Sequence, residues 1–226
     1  MEKTKKFDTK RYVGIAIFSA LAYVVALVCN IIPPVAGFLS LDVKDAVIAM
    51  ASFVYGPISA VIISFIAAFV ELITFSTTGW YGFVMNFASS AVFSLTASLI
   101  YRSRKSLNLA LIGFFGAVAA TTGVMILLNI FVTPLYLVQF IGMPEAVATQ
   151  TVTDMLAKVL LPFNFAKSLL NSACAMLLYK PLTEALRRAK LIAGGKKIAF
   201  NRNTVIILIA GAVALAAALT ILFIIW

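Results

Sequence analysis

Three polar side chains at helical spacing interrupt the apolar segment over residues 159–186. Asn164 and Lys167 are three residues apart, and Asn171 follows four residues later, which places all three on one helix face. An amide beside an ammonium group supplies hydrogen-bond donors and acceptors that suit the edge of a planar heterocycle. The spacing predicts a binding face for a small molecule, unless these groups only satisfy one another or the backbone.

Further polar and ionisable side chains are expected on the same side of a membrane as this face. They are Asp42, Lys44, Asp45, Glu71 and Asn129. Ionisable groups within a membrane span are costly and usually face a cavity or a partner. Two interpretations stay open: the groups pair only with each other and with backbone, or they line a polar cavity. Asp42 and Lys44 are also compatible with ordinary charges at the membrane interface.

Aromatic and amide side chains add to this candidate site. Trp80 and Tyr81 lie between the third and fourth predicted helices. They fit either an aromatic anchor at the membrane interface or a stacking surface over an aromatic ligand. Asn86, on the fourth predicted helix, is expected to be buried and fits either a structural or a ligand-binding role.

The composition indicates the class of protein and excludes several kinds of chemistry. Of the 226 residues, 63% are hydrophobic and 12% are charged, whereas soluble domains are about 45–50% apolar and about 25% charged. The fold class is therefore predicted to be an all-α integral membrane protein. The sequence has no histidine and two cysteines, which removes the commonest metal ligand and general base. We expect no catalytic residues, no metal site and no cofactor.

A nucleotide-binding loop is also missing from the sequence. The Gly195-Lys196 pair is followed by Lys197, and Lys190 stands where the Walker A pattern requires its first glycine. The chain is thus not expected to be an enzyme that hydrolyses ATP. An intramembrane enzyme is a weaker alternative, because no convincing Ser/Lys or Asp/Asp set is present.

The net charge of +10 is concentrated in short segments between the apolar spans. Basic clusters lie within residues 3–11, 102–105 and 187–202. Lys and Arg are enriched in the cytoplasmic loops of membrane proteins. We therefore predict a multi-pass protein that lies in the lipid bilayer of the cell membrane, with residues 1–10 as a cytoplasmic N-terminus. We expect no binding of nucleic acid.

The apolar segments predict seven transmembrane helices, over residues 12–32, 46–55, 58–75, 83–101, 107–131, 159–186 and 204–226. The run over 46–75 fits one long kinked helix or a hairpin that turns at Tyr55-Gly56-Pro57. The hairpin is favoured because it places residues 102–105 inside with the other basic clusters. Its first helix is about 15 Å long and must begin earlier or be shielded by protein. A long outer loop is predicted over 133–154.

The first helix carries small residues four apart, with Ala16 and Ala20 as the clearest pair. Such a stripe allows another helix to approach closely within a membrane. Alanine-rich spans often contain this spacing, so the pattern alone fits either a docking surface or no specific role.

Four motifs carry a resemblance to a known family. They are Leu39-Ser-Leu-Asp-Val-Lys-Asp45, Tyr55-Gly-Pro57, Phe131-Val-Thr-Pro-Leu-Tyr136 and Leu161-Pro-Phe-Asn-Phe-Ala-Lys167. Over about residues 11–189 the chain resembles the substrate-binding S component of energy-coupling factor (ECF) vitamin transporters, and most closely the riboflavin type.

The resemblance implies a six-helix membrane domain over 11–189 that binds one vitamin near its extracellular face. Transport would then require a transmembrane coupling (T) subunit and two cytoplasmic ATPase subunits. The ligand positions implied are Leu41, Asp42, Lys44, Gly79, Trp80, Asn86, Asn129, Asn164 and Lys167. The implied coupling surface includes Ala16 and Ala20. A basic linker over 190–203 and a seventh helix over 204–226 depart from the six-helix pattern.

Several functions remain open at this point. The leading hypothesis is riboflavin uptake, in which riboflavin is the transported ligand rather than a cofactor. Another vitamin such as folate or pantothenate is the first alternative, although an anionic vitamin would favour more cationic side chains on the outer side. A membrane subunit that binds no ligand is a further alternative.

Overall fold

The computed structural model describes residues 9–104, 107–188 and 202–225, and their regular structure is helical. The helices are α1 (Thr9–Cys29), α2 (Lys44–Tyr55), α3 (Pro57–Thr74), α4 (Gly79–Arg102), α5 (Leu107–Gln139), α6 (Glu145–Met155), α7 (Leu161–Arg188) and α8 (Arg202–Ile225). A π-helical turn, Leu156–Leu160, joins α6 to α7. Five of these helices, α1, α3, α4, α5 and α8, are long and apolar enough to cross a membrane. The predicted class, an all-α six-helix bundle with one additional C-terminal helix, is confirmed, and α6 is a further short helix before α7. Residues 1–8, Lys105, Trp226 and most of the 190–203 linker lie outside the described residues.

The hairpin predicted at residues 55–57 is confirmed, and it places a short helix inside the bundle. Gly56 separates α2 from α3 with a φ of +95°, a conformation that favours glycine, and Pro57 is the first residue of α3. Helix α2 begins at Lys44, and its residues 44–52 are all buried. It contacts α1, α3, α4 and α7. A helix too short to cross a membrane alone is therefore shielded by its neighbours.

The predicted loop over 133–154 is wrong, because much of this segment is helical. Helix α5 continues through Pro134 to Gln139, and α6 then forms from residue 145. Proline lacks one backbone donor, but neighbouring side chains within a bundle can compensate for the lost helical bond. The longer α5 brings Thr133 and Tyr136 to the same end of the bundle as Lys167.

The two ends of the bundle differ in their charged side chains. One end, which we call the polar end, contains the starts of α2, α4 and α7 and buries Asp42, Lys44, Glu71 and Lys167. The opposite end, which we call the basic end, contains the α2–α3 turn and exposes Arg102 and Arg104. Buried charges therefore lie at one end of the bundle and exposed cations at the other.

Candidate ligand-binding site

A cavity opens at the polar end, where the α1–α2 connection meets α4, α5 and α7. The space between its walls measures about 650 Å³, including the part that is open to the surroundings. Its lining residues are Phe38, Leu39, Ser40, Thr78, Tyr81, Gly82, Met85, Asn86, Ser89, Met125, Asn129, Val132, Thr133, Tyr136, Phe163, Asn164 and Lys167. Apolar and aromatic walls with a few polar side chains are typical of a small-molecule site.

Helix α7 presents an acceptor and a donor side by side to this cavity. The Asn164 Nδ2 donates to the Leu160 carbonyl oxygen at 2.7 Å, which leaves the side-chain oxygen as an acceptor. The Lys167 Nζ donates to the Ser40 carbonyl oxygen at 3.1 Å and to Asp42 Oδ2 at 2.7 Å. An ammonium group has three donors, so one N–H of Lys167 remains for a ligand.

Helix α5 closes the cavity with polar groups that are bonded within the helix. The Asn129 Nδ2 donates to the Met125 carbonyl oxygen at 2.7 Å, and Asn129 Oδ1 accepts from Thr133 Oγ1 at 2.8 Å. Asn129 is fully buried. These bonds fix the amide at the cavity wall.

Aromatic rings form another side of the cavity. Tyr136 stacks on Phe140 with ring centroids 5.5 Å apart and contacts Phe38 at 5.8 Å. The Tyr81 hydroxyl donates to Gln139 Oε1, which ties the start of α4 to the end of α5. Flat apolar surfaces of this kind suit a planar aromatic ligand.

A chain of buried ion pairs lies behind these walls. Asp42, in the connection between α1 and α2, pairs with Lys167 at 2.7 Å and with Lys44 at 3.8 Å. Lys44 Nζ also lies 2.7 Å from both carboxylate oxygens of Glu71. Burial raises the pKa of the Asp42 carboxyl, but the ammonium groups of Lys167 and Lys44 outweigh burial and hold this pKa below its usual value.

Asn171 fixes the start of α2 against α7. Its Nδ2 donates to the Asp42 carbonyl oxygen at 3.0 Å, and its Oδ1 accepts from the backbone N–H of Ala46 at 2.9 Å. The first N–H groups of a helix have no partner within the helix. Asn171 therefore supplies one of these partners and acts structurally, although it shares a helix face with Asn164 and Lys167.

The predicted ligand positions separate into those that line the cavity and those that do not. Lining residues are Asn86, Asn129, Asn164 and Lys167. Leu41 and Asp42 line a smaller adjoining cavity, and Lys44 lies behind the wall, 1% exposed. Gly79 begins α4 beside the lining residue Thr78. Trp80 is 66% exposed, packs edge-on against Phe83 and does not line the cavity.

Several lining residues were missed or left undecided by sequence reasoning. Ser40 and Tyr136 stand inside two of the quoted motifs, so the motifs were an available signal for both. Tyr81 was considered only together with its neighbour Trp80. Phe163 also stands inside a quoted motif, whereas Met85 carries no pattern that separates it from other apolar residues of the spans.

The small-residue stripe of α1 lies on the surface of the bundle. Ala16 and Ala20 are exposed, whereas Ile15, Phe18 and Ala22 are buried against the neighbouring helices. The stripe is therefore accessible to another helix and lies on a different face from the packing surface of α1.

A family model for the substrate-specific component of ECF transporters matches residues 10–179. The chain belongs to this family. The matched residues extend from α1 into α7, and α8 lies beyond them.

Two similar proteins carry the name of a riboflavin transporter. The chain is 31% identical over 184 residues to the riboflavin transporter RibU of Staphylococcus aureus, covering 80% of this chain and 94% of the relative. It is 24% identical over 188 residues to the riboflavin transporter FmnP of Bacillus subtilis, covering 80% and 98%. A solved S component of a bacterial ECF transporter matches with a TM-score of 0.63 at 29% identity, covering 80% of this chain and all of that one.

Proposed function

We propose that this ECF S component binds riboflavin and is the substrate-specificity subunit for its uptake. The observation that carries the proposal is the cavity at the polar end, which combines aromatic walls with the Asn164 oxygen and the free Lys167 donor. The names of the relatives support the choice of ligand. The chain acts as a binding subunit without an enzymatic reaction of its own.

Riboflavin fits the chemistry of these lining residues. Its isoalloxazine ring is flat and partly apolar, which matches the walls that contain Tyr81 and Tyr136. The ring edge and the ribityl hydroxyls require a few placed polar groups, and Asn86, Asn164 and Lys167 supply them. Riboflavin carries no phosphate, so no cluster of unpaired cations is required.

The charges of the two ends support an orientation in the cell membrane. The polar end faces outside, where the vitamin arrives, and the basic end faces the cytoplasm. Uptake then depends on a transmembrane coupling subunit and two cytoplasmic ATPase subunits. The exposed stripe at Ala16 and Ala20 is the surface we propose for the coupling subunit, because close helix packing favours small residues.

Titration of the purified protein with riboflavin tests the proposal, with quenching of the vitamin's own fluorescence as the signal. Lys167→Ala or Asn164→Ala should weaken binding about tenfold or more, because hydrogen bonds to charged groups contribute about 1.5–3 kcal/mol. Lys158→Ala, at an exposed lysine outside the cavity, is the matched control and should bind normally. Folate and pantothenate are titrated in parallel. Tight binding of either vitamin, with none of riboflavin, contradicts the proposal.

A further inference from the structure

Two polar walls of the cavity are connected by the side chains behind them. Lys167 on α7 contacts Asp42, Asp42 contacts Lys44 on α2, and Lys44 contacts Glu71 on α3. This series of side-chain contacts ends on α4, where Asn86 Nδ2 donates to Glu71 Oε2 at 3.2 Å. Its two ends, Lys167 and Asn86, line the main cavity, whereas Lys44 and Glu71 do not.

The ion pair in the middle of this chain is almost fully shielded from solvent. The side chains of Lys44 and Glu71 are 1% and 5% exposed. Lys44 donates to both carboxylate oxygens, so the carboxylate has little freedom to turn. A buried ion pair of this kind is retained for specificity in some proteins rather than for stability.

The carboxylate of Glu71 determines which atom of Asn86 is available to a ligand. An asparagine side chain has one oxygen that accepts and one NH₂ group that donates. A carboxylate only accepts, so the NH₂ group of Asn86 must turn toward Glu71. The oxygen of Asn86 then remains as an acceptor for the cavity, beside the second N–H of its NH₂ group. Asn164 is oriented by the same logic through the Leu160 carbonyl.

We infer that Glu71, held by Lys44, is a positioning residue that fixes Asn86 as a hydrogen-bond acceptor in the ligand cavity. The cavity thereby selects ligands that carry an N–H or O–H donor on the α4 side. The inference rests on the proposed function, since riboflavin offers such donors at its imide nitrogen and its ribityl hydroxyls. Glu71 contributes to specificity without touching the ligand in the main cavity.

Two riboflavin analogues make the inference testable. One has a methyl group on the imide nitrogen, and the other has a methyl group in place of the ribityl chain. The measured quantity is the ratio of each analogue's dissociation constant to that of riboflavin. This ratio reports a donor–acceptor contact, whereas a general loosening of the fold weakens all three ligands alike.

Two variants remove the acceptor in different ways. Asn86→Leu deletes the amide and leaves the Lys44–Glu71 pair in place. Lys44→Met combined with Glu71→Met replaces the pair by apolar side chains of similar length, which buried sites often tolerate. The controls are Asn108→Leu and Glu145→Met, at exposed positions on α5 and α6.

For one of the two analogues, both variants should lower the ratio by about three- to tenfold, as expected for loss of one hydrogen bond. Asn86→Leu combined with Lys44→Met and Glu71→Met should lower the ratio no further than Asn86→Leu alone, because Glu71 acts through Asn86.

Unchanged ratios in the variant with Lys44→Met and Glu71→Met, whatever its affinity for riboflavin, would make Glu71 structural and overturn the inference. Unchanged ratios in Asn86→Leu overturn it as well, which keeps the test decisive if the methionine variant is not recovered. Failure of the unmodified protein to bind riboflavin would instead reject the proposed function.

Discussion

The polar end of the bundle and helix α8 are held in place by opposite kinds of contact. At the polar end, α2, α3 and α7 meet through directional ion pairs between buried charges. Helix α8 packs on α7 through one apolar stripe, formed by Ile207, Gly211, Ala214, Ala218 and Leu222. Much of its remaining surface is exposed, with Phe223 85% exposed. One region has a fixed geometry, and the other only requires close packing.

This difference indicates where a substitution can be made in the molecule without changing how the ligand is bound. Each buried charge at the polar end has a partner at a defined distance, so a substitution there leaves another charge without its partner. The α8 stripe has no such partners, and an apolar surface can pack in several ways with similar energy. The matched family residues end at 179, so the part of the chain that matches the family includes the ion pairs but not α8.

The largest effect is expected where a charge is removed from the polar end. Asp42→Leu leaves the buried ammonium group of Lys167 without its carboxylate, and breaking a buried pair costs about 3–5 kcal/mol. Thermal unfolding in detergent should show this loss, together with loss of riboflavin binding. Asp154→Leu, at an exposed position on α6, should unfold as the unmodified protein does. Equal stability of the two variants would remove the contrast between the polar end and α8.

The contrast between residues that could be predicted and those that could not follows from distance along the chain. Asn164 and Lys167 are neighbours on one helix, so their shared face follows from helical periodicity alone. The pairs Lys167–Asp42 and Lys44–Glu71 join positions 125 and 27 residues apart. Periodicity carries no information on such contacts. Both interpretations left open for the polar groups apply in part, since Asn129, Asn164 and Lys167 line the main cavity. Lys44 instead pairs with Asp42 and Glu71 behind the cavity wall.

The start of α4 explains why the two aromatic residues could not be separated from the sequence. The fourth helix was expected from residue 83, which placed Trp80 and Tyr81 together in a loop. It begins at Gly79, and adjacent residues on a helix point about 100° apart at 3.6 residues per turn. Tyr81 therefore faces the cavity while Trp80 is exposed. Pro134 has a similar effect: a proline ends many helices, so the sequence predicts that the helix stops before it, whereas α5 continues through Pro134 to Gln139.

A smaller and more selective effect is expected on the exposed face of α1. Ala16→Trp combined with Ala20→Trp should leave riboflavin binding by the purified protein unchanged but lower cellular uptake about tenfold or more, since bulky side chains prevent close helix packing. The measurement pairs fluorescence titration with radiolabelled uptake in cells that contain the coupling subunits. Ala119→Trp, on the exposed face of α5, is the control. If uptake survives the α1 substitutions but is lost with Ala217→Trp, α8 rather than α1 is the docking helix.

The smallest effect on the ligand is expected at the contact between α7 and α8. A Cβ atom at Gly211 would lie 3.2 Å from Met176 Cβ and Leu177 Cγ, so Gly211→Leu must push α8 away from α7. Overpacking typically costs about 1–3 kcal/mol, which should lower the unfolding temperature in detergent. Riboflavin affinity should nevertheless change less than about twofold, because Lys167 keeps its bonds to Asp42 and Ser40. Ala212→Leu, on an exposed face of α8, provides the matched control for both measurements. A tenfold loss of affinity in Gly211→Leu would mean that α8 sets the position of α7 at the cavity, and the two regions would then be coupled rather than independent.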